Sequence, residues 1–262
     1  MESRILNGFN GRILRVNLSD GKFSIEEPPD DYYQRYLGGR GFIAATLLRE
    51  VPGGIDPFGP ENKLIFALGP FTGLPLPGAG RSSVGAKSPQ TGGFGESEAG
   101  GFFGAELKKA GFDEIIIEGM AESPVYLWIK DGKAELRDAQ HLRGMEVAPT
   151  HFALQEELGD RMVRTAVIGP GGERLIRMAC ISHDITHVAG RTGLGAVMGS
   201  KKLKAIAVRG RKEIPVADEK YIRELGTWMA KNFKERTQIW KYGTGLPMEG
   251  ANLAGGVPTT NF

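Results

Sequence analysis

Two segments of this chain carry residue types that can bind or transform a ligand. The first runs Gly78-Ala79-Gly80-Arg81-Ser82-Ser83, continues through Lys87-Ser88-Pro89-Gln90-Thr91-Gly92-Gly93 and reaches Glu98-Ala99-Gly100-Gly101. Small residues leave backbone N–H groups open, and a helix read from Ala99 to Ala110 aims its N-terminus at the same place, which suits an anion such as phosphate. Arg81 adds a planar fork for bidentate contact with phosphate or a polar heterocycle. A glycine-rich surface loop with a solvated arginine accounts for the same residues without a ligand, since glycine patterns recur for ordinary turn reasons.

The second segment is His183-Asp184-Ile185-Thr186-His187-Val188-Ala189-Gly190-Arg191-Thr192-Gly193-Leu194-Gly195, leading into a helix predicted over 194–200. Its glycines offer a place for a second phosphate at that helix start. It is neither a Walker loop, lacking the closing Gly-Lys-Ser/Thr, nor a Rossmann fingerprint, lacking the βαβ crossover. His183 and His187 stand four apart, a zinc-chelating interval on a helix, but no Glu follows His183 and Gly190 argues against a helix. Solvated or phosphate-facing histidines fit better. Cys180 reads as a small core residue in an apolar strand. As the one cysteine of the chain it allows neither an internal disulfide nor a self-contained iron–sulfur cluster. No nucleophile–base constellation shows in the spacing.

These segments need a scaffold, and 262 residues with 40% hydrophobic composition suffice for a sizeable core. A net charge of +2 gives no electrostatic case for nucleic acid or a membrane surface. Apolar runs such as Leu64–Leu68 are of strand length, and Met1–Gly8 has no apolar signal core, so a cytoplasmic protein is expected. Glycine, 39 of 262 residues, is about twice its usual ~7% share. Nothing repeats like collagen, so the glycines mark tight turns or close backbone approaches.

The elements predicted to hold the two segments come in one order, twice. Strands at 12–17 and 23–26 flank Asp20-Gly21, a hairpin signal. Helices follow at about 30–37 and 42–51, then a strand at 63–68 running into Gly69-Pro70, and a strand at 113–118. Strands at 125–130 and 134–137 then flank Asp131-Gly132, a helix covers 146–158, and a strand at 164–168 runs into Gly169-Pro170. Each Gly-Pro leads to a glycine-rich stretch with a lone arginine, Gly80-Arg81 in one half and Gly190-Arg191 in the other. This order reads as a duplicated unit; recurrence of common turn chemistry is the alternative. A last strand at 203–209 precedes a composition shift. Residues 211–216 form a linker, Asp218 caps a helix to about Lys234, and the Gly- and Pro-rich tail from Tyr242 ends at Thr259-Thr260-Asn261-Phe262, as if truncated or continued in a separate chain.

The motifs resemble the N-terminal domain of the aldehyde ferredoxin oxidoreductase family. The resemblance rests on Gly11-Arg12-Ile13-Leu14-Arg15-Val16-Asn17-Leu18-Ser19, Tyr36-Leu37-Gly38-Gly39-Arg40-Gly41, Pro60-Glu61-Asn62-Lys63-Leu64, Lys87-Ser88-Pro89, Gly104-Ala105-Glu106-Leu107-Lys108, Ala110-Gly111-Phe112-Asp113, Ala189-Gly190-Arg191 and Gly195-Ala196-Val197-Met198-Gly199. It covers residues 8–210, and more loosely the tail. It implies an α+β fold whose duplicated unit gives two antiparallel β-sheets with pseudo-twofold symmetry, followed by the start of a helical domain. Residues 1–210 would form the cofactor-binding domain, and 211–262 a linker and the first part of the helical domain.

The cofactor implied is tungstopterin, tungsten or molybdenum held by two pterin dithiolenes, with a magnesium ion linking the pterin phosphates. The implied binding residues are Arg81, Ser82, Glu98, Ala99, Gly100, His187, Val188, Ala189, Gly190 and Arg191. Glu98 and Val188 would give magnesium their backbone carbonyls. Glu98 falls where a well-known member has Asn, Val188 where it has Ala, and His187 where it has a phosphate-contacting Arg. The family's Cys-x-x-Cys-x-x-x-Cys motif for a 4Fe-4S cluster, its catalytic Glu and His and its far-side Asp residues lie beyond this chain. The complete enzyme would oxidise aldehydes to carboxylic acids with ferredoxin as acceptor. Its partners would be C-terminal domains or a cluster-bearing subunit, and a homodimer is compatible. Alternatives are a pterin or phosphate-ligand carrier without catalysis, or an interaction subunit that kept the fold.

Overall fold

The computed structural model describes residues 6–236 and 238–257; Met1–Ile5 and the Thr259–Phe262 tail, together with Thr237 and Pro258, lie outside the described residues. The described chain falls into two units, residues 6–74 with 78–217, and residues 75–77 with 218–257.

The larger unit contains β1 (Ile13–Asn17), β2 (Lys22–Glu26), α1 (Asp30–Tyr36), α2 (Arg40–Glu50), β3 (Leu64–Leu68), β4 (Ser82–Lys87), β5 (Phe94–Ala99), α3 (Phe103–Lys109) and β6 (Glu114–Glu118). It continues with β7 (Val125–Lys130), β8 (Lys133–Asp138), α4 (Val147–Glu157), β9 (Arg164–Val167), α5 (Pro170–Glu173), β10 (Ile181–His183), β11 (His187–Ala189), α6 (Leu194–Ser200) and β12 (Leu203–Arg209). The strands form two six-stranded sheets, ordered β2-β1-β6-β3-β4-β5 and β8-β7-β12-β9-β10-β11. Adding six to every strand number of the first sheet gives the second. The pairings match as well: β1·β6 and β7·β12 are parallel, the other neighbours antiparallel. The duplication expected from the recurring order is therefore present. The sheets are mixed rather than wholly antiparallel, because the chain returns to pair β6 beside β1 only after a long crossover.

Alternation along the strands sorts side chains to two sides. On β6, Ile115 and Ile117 enter the large core that spans both sheets with α3 and α6, while Ile116 enters a second core beneath α1 and α2. On β12, Ile206 and Val208 face the shared core, and Ala205 and Ala207 face α4 through Leu154. Sheets covered on both faces need continuous apolar strands, as in the fully buried Leu64–Leu68. The second hairpin turns where Asp131 (φ 45°) and Gly132 (φ 84°) both take the left-handed region, as an Asp-Gly turn of this kind requires.

The smaller unit holds α7 (Glu219–Arg236), α8 (Ile239–Tyr242) and α9 (Met248–Leu253). Asp218 caps α7 as expected, its Oδ1 accepting from Tyr221 N at 2.8 Å. The tail from Tyr242, read as Gly- and Pro-rich, contains α9 among its described residues. No helix among the described residues is long and apolar enough to cross a membrane.

The helix predicted over 99–110 begins only at Phe103, because Ala99 closes β5, paired to Ser82 of β4. Cys180 is exposed in the loop before β10 rather than packed in the core. The strands β4, β11 and most of β5 replace stretches read as loop, and β10 begins just after Cys180, which was read within an apolar strand.

Candidate functional site at the meeting of two edge strands

β5 and β11 are the last strands of their sheets, and they lie against each other. Their ends carry the two chemically equipped segments. Ala99 ends β5 opposite Ser82, and Ala189 ends β11 opposite Ile181. Glu98 and Val188 are thus equivalent, one residue before the end, paired to Ser83 and Ser182. Gly100 and Gly190 follow at matching places.

The arginines do not match in this way. Arg81 precedes β4, so its counterpart in the second repeat is Cys180; Arg191 follows β11, and its counterpart is Gly101. The sequence reading that paired Gly80-Arg81 with Gly190-Arg191 as repeats of one motif is corrected by the strand order. Both arginines nevertheless attach to neighbouring residues of β5. The Arg81 guanidinium lies 3.5 Å from Glu98 Oε2, and Arg191 N donates to Ser97 Oγ at 3.2 Å.

Close packing joins the repeats here. Ser88 Oγ donates to Thr192 O at 2.8 Å and accepts from Gln90 N and Thr91 N at 3.1 Å each, so the Lys87-Ser88-Pro89 turn docks on Thr192-Gly193. The His187 ring rests on bare backbone: a Cβ at Gly100 or Gly101 would stand 3.1 or 3.0 Å from it. His187 is exposed, with Nδ1 3.1 Å from Thr186 Oγ1. No side-chain oxygen or nitrogen is implied for Ala99, Ala189 or Gly190, which offer backbone alone. Ala99 and Ala189 are buried while Glu98, Val188, Gly190, Arg81 and Arg191 are exposed, and Ser82 is buried beneath them.

A residue quoted only within a motif, Arg40 at the start of α2, joins the site. Its Nη2 lies 3.1 Å from Glu96 and 3.6 Å from Glu98. Gly38 (φ 92°) makes this reach possible, since a Cβ there would sit 2.2 Å from Leu68 O. Arg40 and Arg81 face Glu96 and Glu98, so two cations offset two carboxylates at the mouth of the site. Arg81 and Arg40 are 67% and 66% exposed, and such pairs are weak and readily exchanged for a better anion.

Two expectations for phosphate change. Gly195 N at the start of α6 donates to Ala179 O at 3.0 Å, and a Cβ at Gly193 would strike Arg177 O at 2.1 Å. That helix start is packed against backbone and cannot cradle an anion. The start of α3 lies downstream of Gly101 and leaves the Glu98–Gly101 backbone as the reachable surface. Of the two histidines, only His187 is exposed. His183 is fully buried, and burial pushes its imidazole down to about 4. The two face each other across β10 and β11 in register, not along a helix. No cluster of three or more His, Cys, Asp or Glu able to hold a metal occurs among the described residues.

A duplicated two-sheet α+β domain thus presents paired backbone ends where its edge strands meet, with Arg40, Arg81 and Arg191 beside them. The family described as "Aldehyde ferredoxin oxidoreductase, N-terminal domain" matches residues 13–210, and the chain belongs to that family. It is 48% identical over 97% of its length to the tungsten-containing aldehyde ferredoxin oxidoreductase of Pyrococcus abyssi, of which it covers 43%. It is 46% identical over 96% of its length to the Thermococcus kodakarensis enzyme of the same name, covering 42% of it. It is also 36% identical over 90% of its length to the aliphatic sulfonate oxidoreductase, WOR-like subunit, of Pyrococcus furiosus, covering 40% of it. A solved structure, the active site complex BamBC of benzoyl coenzyme A reductase in complex with 1,5-dienoyl-CoA, superposes with a TM-score of 0.85 at 39% identity, covering 88% of this chain and 35% of that one. The chain thus spans about two fifths of the length of the curated relatives it matches.

Proposed function

We propose that this chain supplies the cofactor-binding part of a tungsten-dependent aldehyde:ferredoxin oxidoreductase. The observation that carries this reading is the equivalence of Glu98 and Val188, with Gly100 and Gly190 beside them, at abutting strand ends. A ligand with two like halves matches a site with two like ends.

The residues fit such a ligand. Bare backbone at Gly78 and Gly190, where nothing lies within 4 Å of a Cβ position, admits close approach. The carbonyls of Glu98 and Val188 suit magnesium, a hard cation that takes oxygen donors. Arg81 and Arg191 suit phosphate or pterin, with Ser82, Ala99 and Ala189 setting the backbone around them. His187 lies against Gly100 and Gly101, and in this reading it meets a phosphate more weakly than the arginine that the resemblance implies there. Bound there, the bis-dithiolene metal centre supplies the redox chemistry, and this chain's residues bind and orient it.

In this reading residues 1–210 form the pterin-binding domain and 211–262 begin the helical region. Domains or a subunit with a 4Fe-4S cluster complete the site, and electrons from aldehyde oxidation pass to ferredoxin in the cytoplasm. The likeness to proteins named for sulfonate and benzoyl-coenzyme A chemistry supports a reading in which substrate choice lies largely in domains outside this chain. Elemental analysis and pterin assay of the protein with its natural partner test the reading. Tungsten or molybdenum with two pterins per metal is expected; absence of both metal and pterin would refute it.

A further inference from the structure

His183 is used by none of the contacts assigned above. Its ring packs on Phe103 at 4.7 Å and Phe66 at 6.4 Å between centroids, an apolar slot at the centre of the unit. Its Nδ1 lies 3.5 Å from the Oγ of Ser82, the residue that follows Arg81. Its Nε2 is buried and has no hydrogen-bond partner among the described residues. The Gly100 backbone raises the affinity of the ring for a proton, opposing burial, yet Nε2 forms no bond of hydrogen-bonding geometry.

Buried polar atoms are almost always satisfied, and an exception calls for a reason. A core slot between two phenylalanines is better filled by an apolar side chain. A neutral imidazole instead brings one N–H and one lone pair. On the Nδ1 side lies Ser82, in the segment that carries Arg81, and the Gly100 backbone acts on the ring's affinity for a proton. Directly across the strand pair, His187 presses on Gly100 and Gly101 from its own side. His183 and His187, both on the second repeat, therefore bear on the cradle of the first.

We propose that His183 is a positioning residue for the cofactor cradle: through Ser82 and Gly100 it fixes the spacing between Arg81 and the Glu98–Gly100 backbone. The free Nε2 is the contact held in reserve, to be met by the Gly100 carbonyl when a ligand seats against that backbone. This rests on the pterin-binding reading above.

The test uses the complete protein with its natural partner, measuring pterin and tungsten per chain alongside the melting temperature. His183→Phe fills the slot and removes both nitrogens; His183→Gln keeps a donor and an acceptor. His183→Phe is expected to melt with the wild type yet carry at least threefold less pterin, and His183→Gln to recover most of it. Wild-type pterin content in His183→Phe overturns the proposal, as does parallel loss of stability and pterin in both variants. If His183→Phe does not fold, the smaller His183→Leu is judged by the same criteria, and failure of both to fold also overturns it. Wild-type protein without pterin refutes the proposed function instead.

Discussion

Glu98 and Val188 hold the same place in two copies of one topology, each one residue from the end of an edge strand and each paired to a serine, Ser83 or Ser182. A strand's penultimate carbonyl is presented by the backbone whatever the side chain, so a charged residue in one repeat and an apolar one in the other can perform the same task. Side chains free of that task are free to do something else: the Glu98 carboxylate lies 3.5 Å from Arg81 and 3.6 Å from Arg40.

This equivalence separates the side chain of Glu98 from its backbone. Glu98→Gln is expected to keep pterin and magnesium within about twofold of wild type, because exposed ion pairs contribute little. Arg81→Ala removes a charge-assisted contact and is expected to cut pterin occupancy roughly tenfold, equivalent to ~1.4 kcal/mol. Magnesium lost from Glu98→Gln would show the carboxylate itself to be a ligand, and unchanged pterin in Arg81→Ala would remove that arginine from the site.

Gly101 combines φ 84° with a Cβ position 3.0 Å from His187 Nδ1. Gly101→Ala should cost about 1 kcal/mol in chemical denaturation from backbone strain and displace the His187 ring. Unaltered stability would mean that the segment relaxes freely.

The Asp113 carboxylate is buried and accepts from Asn10 N and Gly11 N at 2.8 Å and from Lys108 Nζ at 2.7 Å. Burial pushes the Lys108 ammonium down, and Asp113 opposes that push. Asp113→Asn leaves a buried lysine without its counter-charge and should destabilise by about 3 kcal/mol. A loss below 1 kcal/mol would place the pair among the weak surface bridges.

Burial pushes the Glu114 carboxyl up to about 8, against hydrogen bonds from Tyr32 and Thr46 that favour its charged form. Between the ordinary carboxyl range and pH 8 the folded chain holds a proton that the unfolded chain has released. Stability from this group is complete at low pH and falls as pH rises through that window, by up to ~1.4 kcal/mol per pH unit. Burial, helped by Lys63, pushes Lys201 down to about 7. Above that value the unfolded chain binds the extra proton, so stability from Lys201 rises toward the ordinary lysine range. Glu114→Gln should therefore flatten the decline between pH 5 and 8 in denaturation free energies; an unchanged slope would assign the decline elsewhere.

Strands with apolar, branched residues were legible one by one. Val125–Lys130 and Leu203–Arg209 form β7 and β12 with the expected bounds, and Leu194–Ser200 forms α6. The recurrence of hairpin, helix, strand and Gly-Pro was legible as well, because each half must repeat its own turn chemistry to repeat its fold. The strands that build the site were not. Ser82–Lys87, Phe94–Ala99, Ile181–His183 and His187–Ala189 are short, small or polar, with weak intrinsic strand preference. Their hydrogen-bond ladders to one another make them strands.

By itself, then, the sequence determined the residue types available to a ligand, the duplicated order of elements and the family they resemble, since all three are carried by local composition and spacing. Tertiary structure alone decided which positions are equivalent. Strand order matched Glu98 with Val188, separated Arg81 from Arg191, buried His183 and exposed Cys180. Those outcomes depend on which edges meet, and contacts between residues about a hundred positions apart, such as Ser88 with Thr192, leave no periodic trace along the chain.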